Sequence, residues 1–123
     1  MPCMTTEPRQ VYLLDLGMAA KTRPMVVVSQ RDDAAPRALA VCAPITTSTR
    51  ESEYEVSIGK PKFLHEASYV KVQGLQAIQH HELKRVSGRL PDRDLQAVMG
   101  AIKWLFDCLG SSPRLLRESI SNL

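Results

Sequence analysis

Short apolar runs separated by polar turns fill the first three quarters of the chain, and one long helical stripe follows them. Val11–Leu16 (VYLLDL) predicts a first strand, with Gly17–Thr22 as its connecting loop. Arg23–Ser29 predicts a second. Its core, Met25-Val26-Val27-Val28, is apolar without alternation, as in a strand buried on both faces. Pro24 is tolerated because it lies among the first residues of that strand. Gln30–Arg37 reads as a polar turn region, and Ala38–Pro44 as a third strand bounded by turn signals. Thr46–Ser52 is a hydroxyl-rich loop. Tyr54–Ile58 alternates as a half-exposed strand should, and Gly59-Lys60-Pro61 closes a turn. Ser68–Gln73 (SYVKVQ) alternates again and can run on through Leu75–Ile78. His80–Val86 fits a short helical segment, and Ser87–Leu90 a last short strand.

The period then changes. Leu95, Val98, Met99, Ile102, Leu105, Phe106 and Leu109 recur at three- and four-residue steps, one continuous stripe of an amphipathic helix. Asp92 after Pro91 is a good N-cap and Gly110 a natural stop. About six short strands and one long helix near the end predict a mainly β (α+β) fold, a small twisted antiparallel barrel covered by a helix. Residues 1–8 read as a flexible leader, 9–110 as one folded domain, and 111–123 as a tail containing Pro113, Leu115, Leu116 and Ile120.

Composition narrows the setting more than the function. The 123 residues suffice for one core without metal or disulfide staples. Three cysteines, Cys3, Cys42 and Cys108, lack metal-ligand spacing, which predicts a reducing, cytoplasmic environment. No stretch approaches the ~20 apolar residues of a membrane span, so no membrane role is expected. A net charge of +3 permits a local basic patch but is far from an architectural nucleic-acid binder. With aromatics at 5%, continuous base stacking is not expected; Tyr12, Tyr54, Tyr69 and Phe63 each suffice for one base at most.

The candidate chemistry sits at two strand ends. Arg23 stands at the mouth of the buried valine run, and Pro44-Ile45-Thr46-Thr47-Ser48 ends the next apolar run in hydroxyls. A fixed guanidinium beside hydroxyl donors suits phosphate oxygens. Taken alone, Arg23 also fits a salt bridge on a strand end, and Thr46-Thr47-Ser48 fits an ordinary turn. His80 and His81 diverge by about 100° on a helix and do not chelate one ion. His65, in the loop before the Ser68 strand, is of the residue type that most often serves as a general base.

In the order and spacing of several pieces, residues 9–109 resemble the MazF/PemK family of toxin endoribonucleases. The pieces are Val11-Tyr12 through Asp15-Leu16, Arg23-Pro24 before the valine run, and Pro44-Ile45-Thr46-Thr47-Ser48. Ser68-Tyr69-Val70, Gln73-Gly74-Leu75-Gln76-Ala77-Ile78 and Gly88-Arg89-Leu90 complete the set. The resemblance implies an SH3-like barrel, a homodimer and a cognate antitoxin protein whose disordered segment fills the RNA groove. It implies cleavage of single-stranded RNA, without metal or cofactor, to a 2′,3′-cyclic phosphate and a 5′-hydroxyl.

Carried onto this chain, the resemblance makes Arg23 and Thr46 catalytic, with Thr47 and Ser48 as RNA contacts. Lys71 and Gln73 alternate outward on one strand and fit either substrate contacts in the same groove or a solvated strand face, and Lys21 beside Arg23 is a substrate contact on the same footing. Arg23 would steady the charge on the phosphorane and donate a proton; a guanidinium stays protonated at neutral pH and offers almost no free base, so the general base is unassigned. The chain also departs from the family pattern. Arg9-Gln10 stands where a glycine is usual, Gly17–Thr22 carries no His-Glu, and Lys71-Val72-Gln73 replaces an Arg-x-Asp pattern. Two other readings are carried beside the nuclease: a toxin of the same fold that poisons DNA gyrase by protein contact, and an inactive RNA-binding relative.

Overall fold

The computed structural model describes residues 6–15 and 22–107. Seven strands run β1 (Gln10–Asp15), β2 (Thr22–Val27), β3 (Leu39–Thr46), β4 (Glu55–Gly59), β5 (Ser68–Lys71), β6 (Gln76–Gln79) and β7 (Val86–Arg89), followed by helix α1 (Asp92–Leu105). They form one curled antiparallel sheet in the order β4-β5-β3-β2-β1-β7, with β6 also on β3. This half-barrel with a helix near its end is the fold class expected from the pattern of short strands.

The eight-residue β3 organises the sheet. On one side its Cys42, Ala43 and Pro44 pair with Val27, Val26 and Met25 of β2. On the other, Leu39–Cys42 pair with β6 and Ile45–Thr46 pair with β5. The register along β3 shifts by three between β5 and β6, so three residues, Val72–Gly74, are looped out as a single 3-10 turn. The Val72 side chain is fully buried and its N–H donates to the Tyr54 carbonyl (2.8 Å). The expected Ser68–Gln73 strand therefore stops at Lys71, and its continuation is a separate strand. Likewise β3 extends through Thr46, which is the last strand residue rather than the first loop residue.

Strand alternation builds two apolar clusters on opposite faces. Val11, Val26, Val28, Ala43, Ile45, Ile58, Val70, Val72 and Leu90 face α1, which contributes Val98 in full and Ala101, Ile102 and Leu105 in part. Tyr12, Leu14, Met25, Val27, Ala40, Cys42, Ile78 and Leu83 make the second cluster. Burial pushes the Cys42 thiol up to about 12, so it stays protonated as a small core hydrophobe; Cys3 and Cys108 lie outside the described residues.

The helix differs from its sequence pattern at both ends. Pro91, not Asp92, occupies the N-cap position; Asp92 is the first helical residue and forms an ion pair with Arg9. Backbone bonds close the other end at Phe106, ahead of Gly110. Val98 is buried and Leu95, Ile102 and Leu105 half-buried, while Met99 and Phe106 of the same stripe are exposed. Trp104, off the stripe, meets Tyr54 edge-on with ring centroids 5.0 Å apart. His80–Glu82 is one 3-10 turn in place of the longer segment expected over His80–Val86.

Arg9 occupies the left-handed region (φ 79°), which costs a residue with a Cβ. Its backbone explains why that conformation persists. The Arg9 N–H donates to the Val27 carbonyl and its own carbonyl accepts from Leu90 (3.0 and 2.9 Å). The residue thus pins the start of β1 to the ends of β2 and β7, while its side chain reaches α1. Of the expected leader, residues 6–8 are described: Thr6 is buried, and Glu7 binds both Arg31 and Arg89.

Candidate functional site

Arg23 and Thr46 each lie two residues beyond Met25 and Pro44, the last pair of the β2–β3 ladder. Residues directly opposite in an antiparallel pair share a face, and so do residues two apart on a strand. Arg23 and Thr46 therefore leave the same end of the sheet on the same face. Pro24 sits between Arg23 and Met25, past the last β2–β3 pair, where β3 runs on beside β5 along its other edge.

That face continues across β5 and β4. Thr46 stands opposite Tyr69, Tyr69 opposite Ser57, and Lys71 opposite Glu55. Ile45, Val70 and Val56 alternate to the other side and pack into the main core. The row Thr46-Tyr69-Ser57, with Lys71 and Glu55 beside it, is half-buried to exposed. Arg23 is exposed as well. Among the described residues no ion pair engages it.

The Ser48 N–H donates to the Thr46 hydroxyl oxygen (3.1 Å). This local turn fixes the oxygen and leaves its own proton free for an acceptor such as a phosphate oxygen. Thr47 and Ser48 follow in the exposed bend. The rest of that loop hangs on Glu55. Its carboxylate accepts from the N–H of Arg50 (2.9 and 3.1 Å), from the N–H of Ser52 (3.2 Å) and from the Ser52 hydroxyl (3.0 Å). The Arg50 bond above all, then the Ser52 bonds and the facing Lys71 charge, hold the Glu55 carboxyl below the usual carboxylate range.

Because its folded pKa is lowered, Glu55 contributes stability that is fully present above the unfolded value and is lost as pH falls through the folded one. Replacing it with Gln should lower the melting temperature at neutral pH. The gap between parent and E55Q should then close on acidification below about pH 4.3. Thermal melts of the two proteins from pH 7 to pH 3 measure this, and a gap unchanged at pH 3 contradicts it.

The other expected contacts divide. Thr47, Ser48 and Lys71 join Arg23 and Thr46 around the site face. Gln73 does not share a strand face with Lys71, as the alternation suggested, because it sits exposed in the looped-out Val72–Gly74 turn. Lys21 lies outside the described residues. His65 is exposed in the β4–β5 connection, and the His80 ring is bonded to Thr6 (3.4 Å). Sequence reasoning missed Glu55 as the anchor of the hydroxyl loop; Glu55 near Arg50-Glu51-Ser52 was its one visible sign.

Residues 7–106 match the family of PemK-like, MazF-like toxins of type II toxin–antitoxin systems. The chain belongs to this family. MazF-type structures share its fold. An endoribonuclease from a mycobacterial species, solved in complex with its cognate antitoxin, superimposes with a TM-score of 0.72 at 22% identity, covering 84% of this chain and 96% of that one. The Mycobacterium tuberculosis toxin MazF-mt6 gives a TM-score of 0.69 at 27% identity over 80% of this chain and 97% of its own. A MazE–MazF structure from Deinococcus radiodurans gives 0.68 at 17% identity over 84% and 96%. Among curated proteins, no sequence matches the chain. No helix among the described residues of this MazF-like toxin is long and apolar enough to cross a membrane.

Proposed function

We propose that the chain is a toxin endoribonuclease that cuts single-stranded RNA without a metal, leaving a 2′,3′-cyclic phosphate and a 5′-hydroxyl. The observation that carries the reading is the shared face of Arg23 and Thr46, with the Thr46 oxygen held and its proton free. The RNA's own 2′-hydroxyl gives up its proton to solvent and attacks the adjacent phosphorus, the bond to the 5′-oxygen breaks, and solvent returns a proton to Arg23 after it has protonated the leaving oxygen. Arg23 stabilises the added negative charge and supplies a proton toward the leaving oxygen, and Thr46 donates to a phosphate oxygen. Lys71, Thr47 and Ser48 hold the flanking backbone.

A homodimer and a neutralising antitoxin in the cytoplasm belong to the same proposal. Leu13, Val86, Met99 and Phe106 supply exposed apolar surface for such contacts. The decisive experiment incubates purified protein with unstructured RNA in EDTA and identifies the fragment ends by mass spectrometry. Cyclic-phosphate ends are expected. Intact RNA contradicts the reading, and intact RNA with inhibited gyrase supercoiling establishes the protein-binding poison in its place.

A further inference from the structure

Phe106 is exposed at the end of α1, away from the site face, and most of the other aromatic side chains are committed to packing. Tyr12 is buried, Tyr54 meets Trp104, and Phe63 packs on the main core. Tyr69 is different. It belongs to neither apolar cluster, is half-exposed, and its hydroxyl has no hydrogen-bond partner among the described residues. Its ladder position puts it directly opposite Thr46 on one side and Ser57 on the other. Neighbours of this kind have Cβ atoms ~4.5–5.5 Å apart.

We infer that Tyr69 is the stacking platform for the nucleobase next to the phosphate held by Arg23 and Thr46. The inference rests on the nuclease reading above and adds a base-binding position to it. A nucleotide reaches from phosphate to base over a length on the order of one strand spacing, ~4.7–4.9 Å. A phosphate on Thr46 thus brings its base over the β5 strand. A half-exposed ring there gains by covering its apolar face with a base, whichever base it is, since every base has a π-face. Ser57, exposed on the far side of Tyr69, and Lys71, two residues along β5, leave the ring flanked by small or polar groups rather than walled in.

The test uses a short fluorescent oligonucleotide with 2′-O-methyl groups, which binds but offers no attacking hydroxyl. Fluorescence anisotropy should show Y69F binding like the parent and Y69L binding about ten- to a hundred-fold more weakly, the range of one lost base stack. In a series carrying one abasic nucleotide at each position, one member should erase the difference between parent and Y69L while the others preserve it. A Y69L protein that binds as tightly as the parent overturns the inference. So does a penalty that survives at every abasic position, or a parent that binds no oligonucleotide. Should Y69L fail to fold, irradiating the parent with a 5-bromouracil oligonucleotide decides: an adduct on Tyr69 supports the platform, and adducts only elsewhere overturn it. If the all-ribose strand binds through Tyr69 yet stays uncut, the cleavage reading fails and the stacking position stands.

Discussion

Arg23→Ala should reduce RNA cutting by about a hundred- to a thousand-fold, the usual cost of deleting one donor aimed at charge that develops in a transition state. The fold should not notice. Arg23 is exposed, lies beyond the last β2–β3 pair, and makes no ion pair among the described residues, so no packing or buried charge partner is lost with it. Arg23→Lys separates the two contributions of the side chain. Lysine restores the charge but not the planar fork that grips two phosphate oxygens, so partial recovery is expected. Thr46→Ala should also cut poorly, and Thr46→Ser should recover activity because the hydroxyl and its bond from the Ser48 N–H are retained. Single-turnover rates with excess enzyme make the comparison, alongside urea unfolding midpoints. An R23A protein that cuts at the parental rate would remove Arg23 from the chemistry.

What was legible in the sequence is what depends on near neighbours along the chain. The valine run, the alternation of Tyr54–Ile58 and the three-four stripe of α1 each state a local period, and each became an element of the expected kind. Arg23-Pro24 and Thr46 were visible as strand ends for the same reason. Gln73 was misplaced because alternation continues through Lys71-Val72-Gln73 in the sequence, whereas the break there is forced by a distant partner. β3 must be met by β5 at Ile45 and by β6 at Cys42 with a three-residue offset, and no property of residues 72–74 announces that offset. Tyr69 was one of four indistinguishable aromatics until the ladder set it opposite Thr46. Arg9 reads as an unremarkable surface cation, yet it holds a positive φ because Val27, Leu90 and Asp92 converge on it. Register, not composition, separates these positions from their neighbours.

Register also exposes the most sensitive small residue. Gly88 of β7 stands opposite Val11, which is fully buried, and the Phe63 ring lies flat in the space where any side chain at 88 would begin. A single added methyl group overlaps that ring, so Gly88→Ala must push Phe63 off the main core or bend β7 away from β1. Overpacking of this kind costs about 1–3 kcal/mol. That is a large share of the ~5–15 kcal/mol that holds an ordinary domain together. The melting temperature should fall by roughly 4 °C for each kcal/mol in a chain of this length. Gly88→Val, with more atoms in the same place, should lose more. A smaller neighbour should relieve the clash: Phe63→Leu weakens the parent by itself, but G88A with F63L should be more stable than the two separate losses predict, the non-additivity of residues in contact. Strictly additive losses would mean that the methyl group meets something other than Phe63, and β7 would then be yielding at the β1 edge instead.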